Sequence, residues 1–175
     1  MPPLRRELLI AHLAAAAIAA HLLEAALPGA GPWFKAGLAN TFTLVALFRL
    51  GWGAAVGVSL IRVVAGSLAL GTFLSPTFLL SLSGAVGALL AMGLMRGVPL
   101  LQLGPVGISV MASLAHMSCQ VIAAHFLFIG HSGIFLALPW FLAGSWITGI
   151  LNGILAFLIL ERLERFRHLL EGTPA

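Results

Sequence analysis

Arg62, His116 and Gln120, joined by Lys35 and Asn40, are the side chains whose types and positions could do chemistry in this chain. Arg62 falls near the middle of the apolar stretch from Trp33 to Gly84, which also carries Lys35, Asn40 and Arg49 at spaced positions. An arginine at bilayer depth costs about 2.5–3.5 kcal/mol on insertion scales, so it is kept where it faces a protein interior, a water-filled cavity or an anion. His116 lies about as deep in its own apolar run as Arg62 does, and Gln120 stands one helical turn further along the same face. A cation, an imidazole and an amide at one depth could line a pocket for a small anionic molecule. Lys35, Asn40 and Ser75, the last in the turn Gly71–Pro76, fall toward the same side of the membrane and complete the candidate substrate-binding set. The structural alternative is that these groups only hydrogen-bond backbone carbonyls across helices.

Other chemistries fit the residues less well. His116 and His125 are nine apart, about 900° of helical rotation, and so face opposite sides; His12 and His21 share that separation. No HExxH pattern, no nucleophile flanked by a base and no Walker A loop occurs. The chain has no Asp at all, which leaves out paired aspartates holding a divalent metal. The single Cys119 allows no intrachain disulfide and no CxxC site, and reads as a small buried apolar residue. We therefore expect no cofactor, no metal and no catalytic residue: a binder or carrier rather than an enzyme.

The elements that position these residues follow from hydropathy. With 61% hydrophobic and 8% charged residues, the chain is far from a soluble domain, where about 25% are charged. Its length allows one membrane domain, residues 1–175. No basic patch with interleaved aromatics points to nucleic acid. Six apolar spans are expected at about 8–27, 36–50, 53–70, 77–95, 105–128 and 138–160, giving an all-α polytopic membrane protein with six transmembrane helices. Residues 161–175 form a cytoplasmic tail, with Leu160, Leu163, Phe166 and Leu170 spaced for an amphipathic helix along the membrane surface. The first apolar run is of spanning length, longer than a signal-peptide core, so it is read as a retained helix.

Several local features refine this layout. Pro28-Gly-Ala-Gly-Pro32 is a turn, and Arg49-Leu-Gly-Trp52 a tight reversal. The second span is short and starts polar, as spans at transporter binding sites often do. Ala11, Ala15 and Ala19 recur every four residues on the first span, a face another helix could approach closely. His21 and Glu24, three apart, read first as a local pair, with Glu24 as a counter-ion to Arg62 the second option. Gly84 and Gly87 are available for close packing on the fourth span. With the N-terminus inside, Arg5, Arg6, Arg49, Arg96, Arg162, Arg165 and Arg167 fall on the cytoplasmic side and only Lys35 outside. Seven against one implies an N-in, C-in topology.

The segments KAGLANTFTLVAL, LIRVVAGSLALGTFLSPTFLLSLSG and GISVMASLAHMSCQ resemble the Gx transporter family, also labelled heptaprenyl diphosphate synthase component I, over roughly residues 8–157. SPTFLLSLSG is the most distinctive block. The sequence departs from the family pattern in AHMSCQ, where AHNxGQ is expected, so Met117 and Cys119 stand in place of an Asn and a Gly. The family is similar in size and helix count to the S components of energy-coupling factor (ECF) importers. That likeness implies an S-component-like bundle in a bacterial inner membrane that binds a small molecule near the outer surface. It also implies docking, through a small-residue face such as Ala11, Ala15 and Ala19, on an ECF coupling subunit with ATPases. The synthase label implies the alternative of a non-catalytic membrane subunit of an isoprenoid synthase system. A chain without Asp cannot alone be a prenyl synthase of the usual aspartate-rich kind.

Overall fold

Apolar runs punctuated by glycine and proline resolve into six α-helices: α1 (Pro3–Ala26), α2 (Leu38–Leu50), α3 (Trp52–Ala69), α4 (Pro76–Gly97), α5 (Pro105–Ala124) and α6 (Leu138–Glu171). The computed structural model describes residues 3–26, 37–97 and 103–171, and no strand occurs among them. Five of the helices are long and apolar enough to cross a membrane, so the chain forms an all-α membrane bundle. The expected turn at Pro28–Pro32 and the candidate residue Lys35 lie outside the described residues.

Local chemistry sets the boundaries. Gly51, at φ 91, reverses the chain between α2 and α3 in a backbone conformation that a side chain would resist. Ser75 caps α4: its hydroxyl accepts from the Phe78 N–H, and Pro76 supplies a first-turn residue with no donor to orphan. Pro105 starts α5 in the same way. α5 leaves α-helical geometry after Ala124 through one π-helical turn, His125–Ile129, which Gly130 closes at φ 64. A 3₁₀ turn, Ser132–Ala137, then leads into α6. The tail expected from residue 161 starts no new element. No glycine or proline falls between Ile154 and Glu171, so α6 runs on unbroken for 34 residues. An i,i+4 pair between Glu161 and Arg165 supports that extension.

α2 is the hub. At 13 residues it measures about 20 Å, against a hydrocarbon core of about 30 Å, and it packs against α1, α3, α5 and α6. Leu44, Val45 and Leu47 are fully buried and join Ala88, Met92, Ile108, Ala112 and Ala156 in the main core. A second cluster sets Ala14 and Ala17 of α1 against Ala46 of α2 and Ala54 and Val58 of α3. Lipid is as apolar as leucine, so such contacts hold the bundle by close packing of small residues rather than by removing surface from water. Ala11, Ala15 and Ala19 take no part in this; they are exposed on the far side of α1. Both clusters fill the half of the bundle nearer the two termini. The other half holds a smaller apolar cluster, Val63, Phe78 and Ala85, beside a group of polar side chains.

Candidate functional site

Each helix contributes to one cavity of about 210 Å³ in that half. It is built from the C-terminal turns of α1, the start of α2, the middle of α3 and the first turns of α4, with stretches of α5 and α6. Arg62 reaches it from α3 and is 6% exposed. Its Nε makes no hydrogen bond among the described residues. A buried guanidinium with a donor left over is costly unless something accepts from it. Arg62 is thus the most deeply buried cation lining the cavity among the described residues.

α1 and α2 supply the opposing charge. Glu24 lines the cavity, accepts a hydrogen bond from the backbone N–H of Leu38 at the start of α2, and acts electrostatically on Arg62. The carboxylate thus caps one of the four orphan N–H groups of a helix that begins inside the protein. Two roles were foreseen for Glu24, pairing with His21 and acting as counter-ion to Arg62; its charge does act on Arg62, and the cap at Leu38 was not foreseen. Gly37, in front of α2, has φ 71, and a Cβ there would sit 3.0 Å from the Asn152 amide nitrogen. Both the dihedral and the space therefore ask for glycine.

α5 and α6 present polar stripes at helical spacing. Ser113, His116, Met117 and Gln120 lie at i, i+3, i+4 and i+7 on α5, and Ser145, Thr148 and Asn152 at i, i+3 and i+7 on α6. The Ser113 hydroxyl is held by backbone, donating toward the Ser145 carbonyl at 2.7 Å with the Val110 carbonyl at 2.9 Å, and so helps fix α5 on α6. Thr41 of α2 donates to Asn152 Oδ1 at 3.4 Å. α4 adds Thr77, Leu80 and Ser81. Its close approach to α5 depends on missing side chains: a Cβ on Gly84 would stand 2.5 Å from His116 Nε2, and one on Gly87 2.5 Å from Cys119 Sγ.

Four of the candidate residues, Asn40, Arg62, His116 and Gln120, therefore meet around one cavity. Ser75 does not line it; its hydroxyl donates to the Thr72 carbonyl at 2.5 Å and caps α4. The candidate set read from the sequence leaves out Thr77, Ser81, Ser113, Ser145, Thr148 and Asn152, which also line the cavity. The signal that finds them is the i, i+3, i+7 recurrence of polar groups on helices that are otherwise apolar. Met117, where the family pattern expects Asn, faces the cavity, whereas Cys119, where it expects Gly, packs on α4. Among the described residues no group of three or more His, Cys, Asp or Glu side chains is placed to hold a metal ion. The groups present can donate hydrogen bonds, offset charge and exclude lipid, which is the chemistry of binding.

The chain belongs to the family described as heptaprenyl diphosphate synthase component I, which it matches over residues 13–159. No curated protein and no solved structure matches it.

Proposed function

We propose that this protein is a non-catalytic, membrane-embedded binding protein that takes up a small anionic molecule, in the manner of the S components of ECF importers. The observation that carries the reading is the buried Arg62, which lines a cavity shared by all six helices. Asn40, His116 and Gln120 donate or accept around the bound anion, and Lys35 draws it in from the outer side. The helices cross a bacterial inner membrane with both termini in the cytoplasm, so the cavity opens outward. Support for a partner comes from Ala11, Ala15 and Ala19, whose exposed face this bundle leaves uncovered and a coupling subunit with ATPases would cover.

Native mass spectrometry of the protein extracted gently from its own membranes tests this directly. A retained small anion that is lost in Arg62→Gln, while the variant keeps its fold, is the expected result. A cavity that carries no ligand, in a protein that binds no anion on titration, overturns it.

A second reading is favoured by the family description, which names a component of a synthase. On that reading the chain is the non-catalytic membrane subunit of an isoprenoid synthase system. The same spectrum separates the two. A soluble synthase bound to the chain favours the second reading, and a coupling subunit with ATPases the first.

A further inference from the structure

Beside the polar cavity lies a second chamber of about 290 Å³, between the C-terminal turns of α1 and α3 and the first turns of α4. The two chambers share His21, Val63, Thr77 and Ser81 as lining, so one wall separates them or joins them. Their chemistry differs. Ala25, Val63, Leu70 and Phe78 give the second chamber carbon walls. Two of its hydroxyls are turned back on the backbone: Ser67 donates to the Val64 carbonyl at 2.8 Å and Thr72 to the Ser67 carbonyl at 3.4 Å. What they present to the chamber is largely methyl and methylene surface. Among the described residues no Lys, Arg, Asp or Glu lines it, whereas the first cavity holds Arg62 and Glu24.

The chamber also has a side. α1 and α3 pack together and α3 and α4 pack together, but α1 and α4 scarcely touch among the described residues. The space between them is this chamber. Its outer rim carries the exposed Ala25 and Leu70, at a depth where the neighbouring helix surface, Leu68 and Leu79 included, is exposed and apolar. An apolar gap in that position opens toward acyl chains rather than water.

Resting on the anion-binding reading above, we infer that the ligand is an amphiphilic anion: its charged head sits on Arg62 and its short apolar portion lies between α1 and α4. Neither chamber alone selects such a molecule. The first offers a guanidinium and hydrogen-bond donors beside apolar surface of its own but only about 210 Å³, and the second is mainly apolar at about 290 Å³, each below the ~300–1,000 Å³ usual for small-molecule sites. Together they fit a charged head joined to a short chain. Such a ligand can enter sideways from the leaflet opposite the termini without moving the core around α2.

The test is a chain-length series on the full-length protein in phosphatidylcholine nanodiscs. Inorganic phosphate, ethyl, butyl and hexyl phosphate are titrated by calorimetry beside acetate, butyrate and hexanoate. Burying each added methylene is worth about a fourfold gain in affinity. At least one head group is expected to show that gain up to the length the chamber holds. Ala25→Trp, at an exposed position on the chamber rim, and Ser67→Phe, inside it, are expected to abolish the gain while the shortest anion binds as before. Ala25→Trp carries the test if Ser67→Phe fails to fold. Affinity that is independent of chain length, or a gain that survives Ala25→Trp, overturns the inference and leaves the anion-binding reading standing. Failure of every probe to bind overturns both. The same head and tail occur in membrane lipids, so the titration is repeated with phosphatidylglycerol in the disc. Competition identifies the occupant as a bilayer lipid, and its absence as a free amphiphile; the head-and-tail recognition holds in either case.

Discussion

At the scale of single residues, the proposed anion site makes Glu24 the group that sets how strongly Arg62 would hold its ligand. The carboxylate sits in the same cavity and acts electrostatically on the guanidinium while capping the Leu38 N–H. An incoming anion must compete with that charge. Glu24→Gln keeps an oxygen to accept from Leu38 but removes the charge, so anion affinity should rise about thirtyfold, equivalent to about 2 kcal/mol for charges ~8 Å apart at an effective dielectric of ~20. Calorimetric titration of the variant beside the native protein checks this, and a weaker or unchanged affinity counts against Arg62 as the anchor. Arg62, His116, Gln120 and Asn40 were legible in the sequence because a charged or large polar group in an apolar run has to be accounted for energetically. Ser113, Ser145 and Thr148 were not, because a hydroxyl in a membrane helix satisfies itself on its own backbone, as Ser113 partly does, and stands out only through its spacing. Ser75 was misleading for a related reason: the Ser-Pro pair that draws the eye is a helix start, and its hydroxyl is committed to capping.

At the scale of elements, the geometry of α4 against α5 sets the position of His116. The imidazole occupies the space that a side chain at Gly84 would need. Gly84→Ala should therefore push the ring aside, lowering stability by about 1–3 kcal/mol as overpacking does and weakening ligand binding with it. Thermal unfolding in detergent and a ligand titration read the two effects separately. A variant with native stability and affinity would show that the α4–α5 packing has slack. The loop ahead of α4 offers the opposite case. Leu74 has φ 60 with its side chain 70% exposed, a left-handed conformation that costs an L-residue about 1–2 kcal/mol. Leu74→Gly should raise the unfolding temperature, and a fall would mean that the leucine makes a contact worth more than the strain. The helices themselves could be read from the sequence because each is an apolar run ended by glycine or proline. A helix past residue 160 was legible too, from the spacing of Leu160, Leu163, Phe166 and Leu170, and because nothing there breaks a helix it continues α6 without a boundary.

At the scale of the whole molecule, everything turns on whether α2 counts as a crossing. Five helices have spanning length, and five crossings would leave the termini on opposite sides of the membrane. Six would put them on one side, in keeping with the seven arginines that the sequence sets against Lys35. α2 is only about 20 Å long, yet its ends reach both halves of the bundle. Its start meets Glu24 in the last turn of α1, and Arg49 near its end comes within 4.0 Å of Glu164 on the α6 extension. A helix shorter than the bilayer can do this because it is sheathed by protein: Leu44, Val45, Ala46 and Leu47 are fully buried, so its termini need not reach the headgroups. The polar groups freed at its start are satisfied by a carboxylate instead of water. On this reading the chain makes six crossings, and single-cysteine labelling can count them. In a Cys119→Ala background, Leu4→Cys and Phe166→Cys should resist a membrane-impermeant maleimide in intact spheroplasts and react once the membrane is opened, whereas Ser132→Cys reacts from outside. All three positions are exposed on the protein surface. Labelling of Leu4→Cys and Phe166→Cys from opposite sides would remove α2 from the crossings, and with it the outward-facing cavity that Arg62 is proposed to serve.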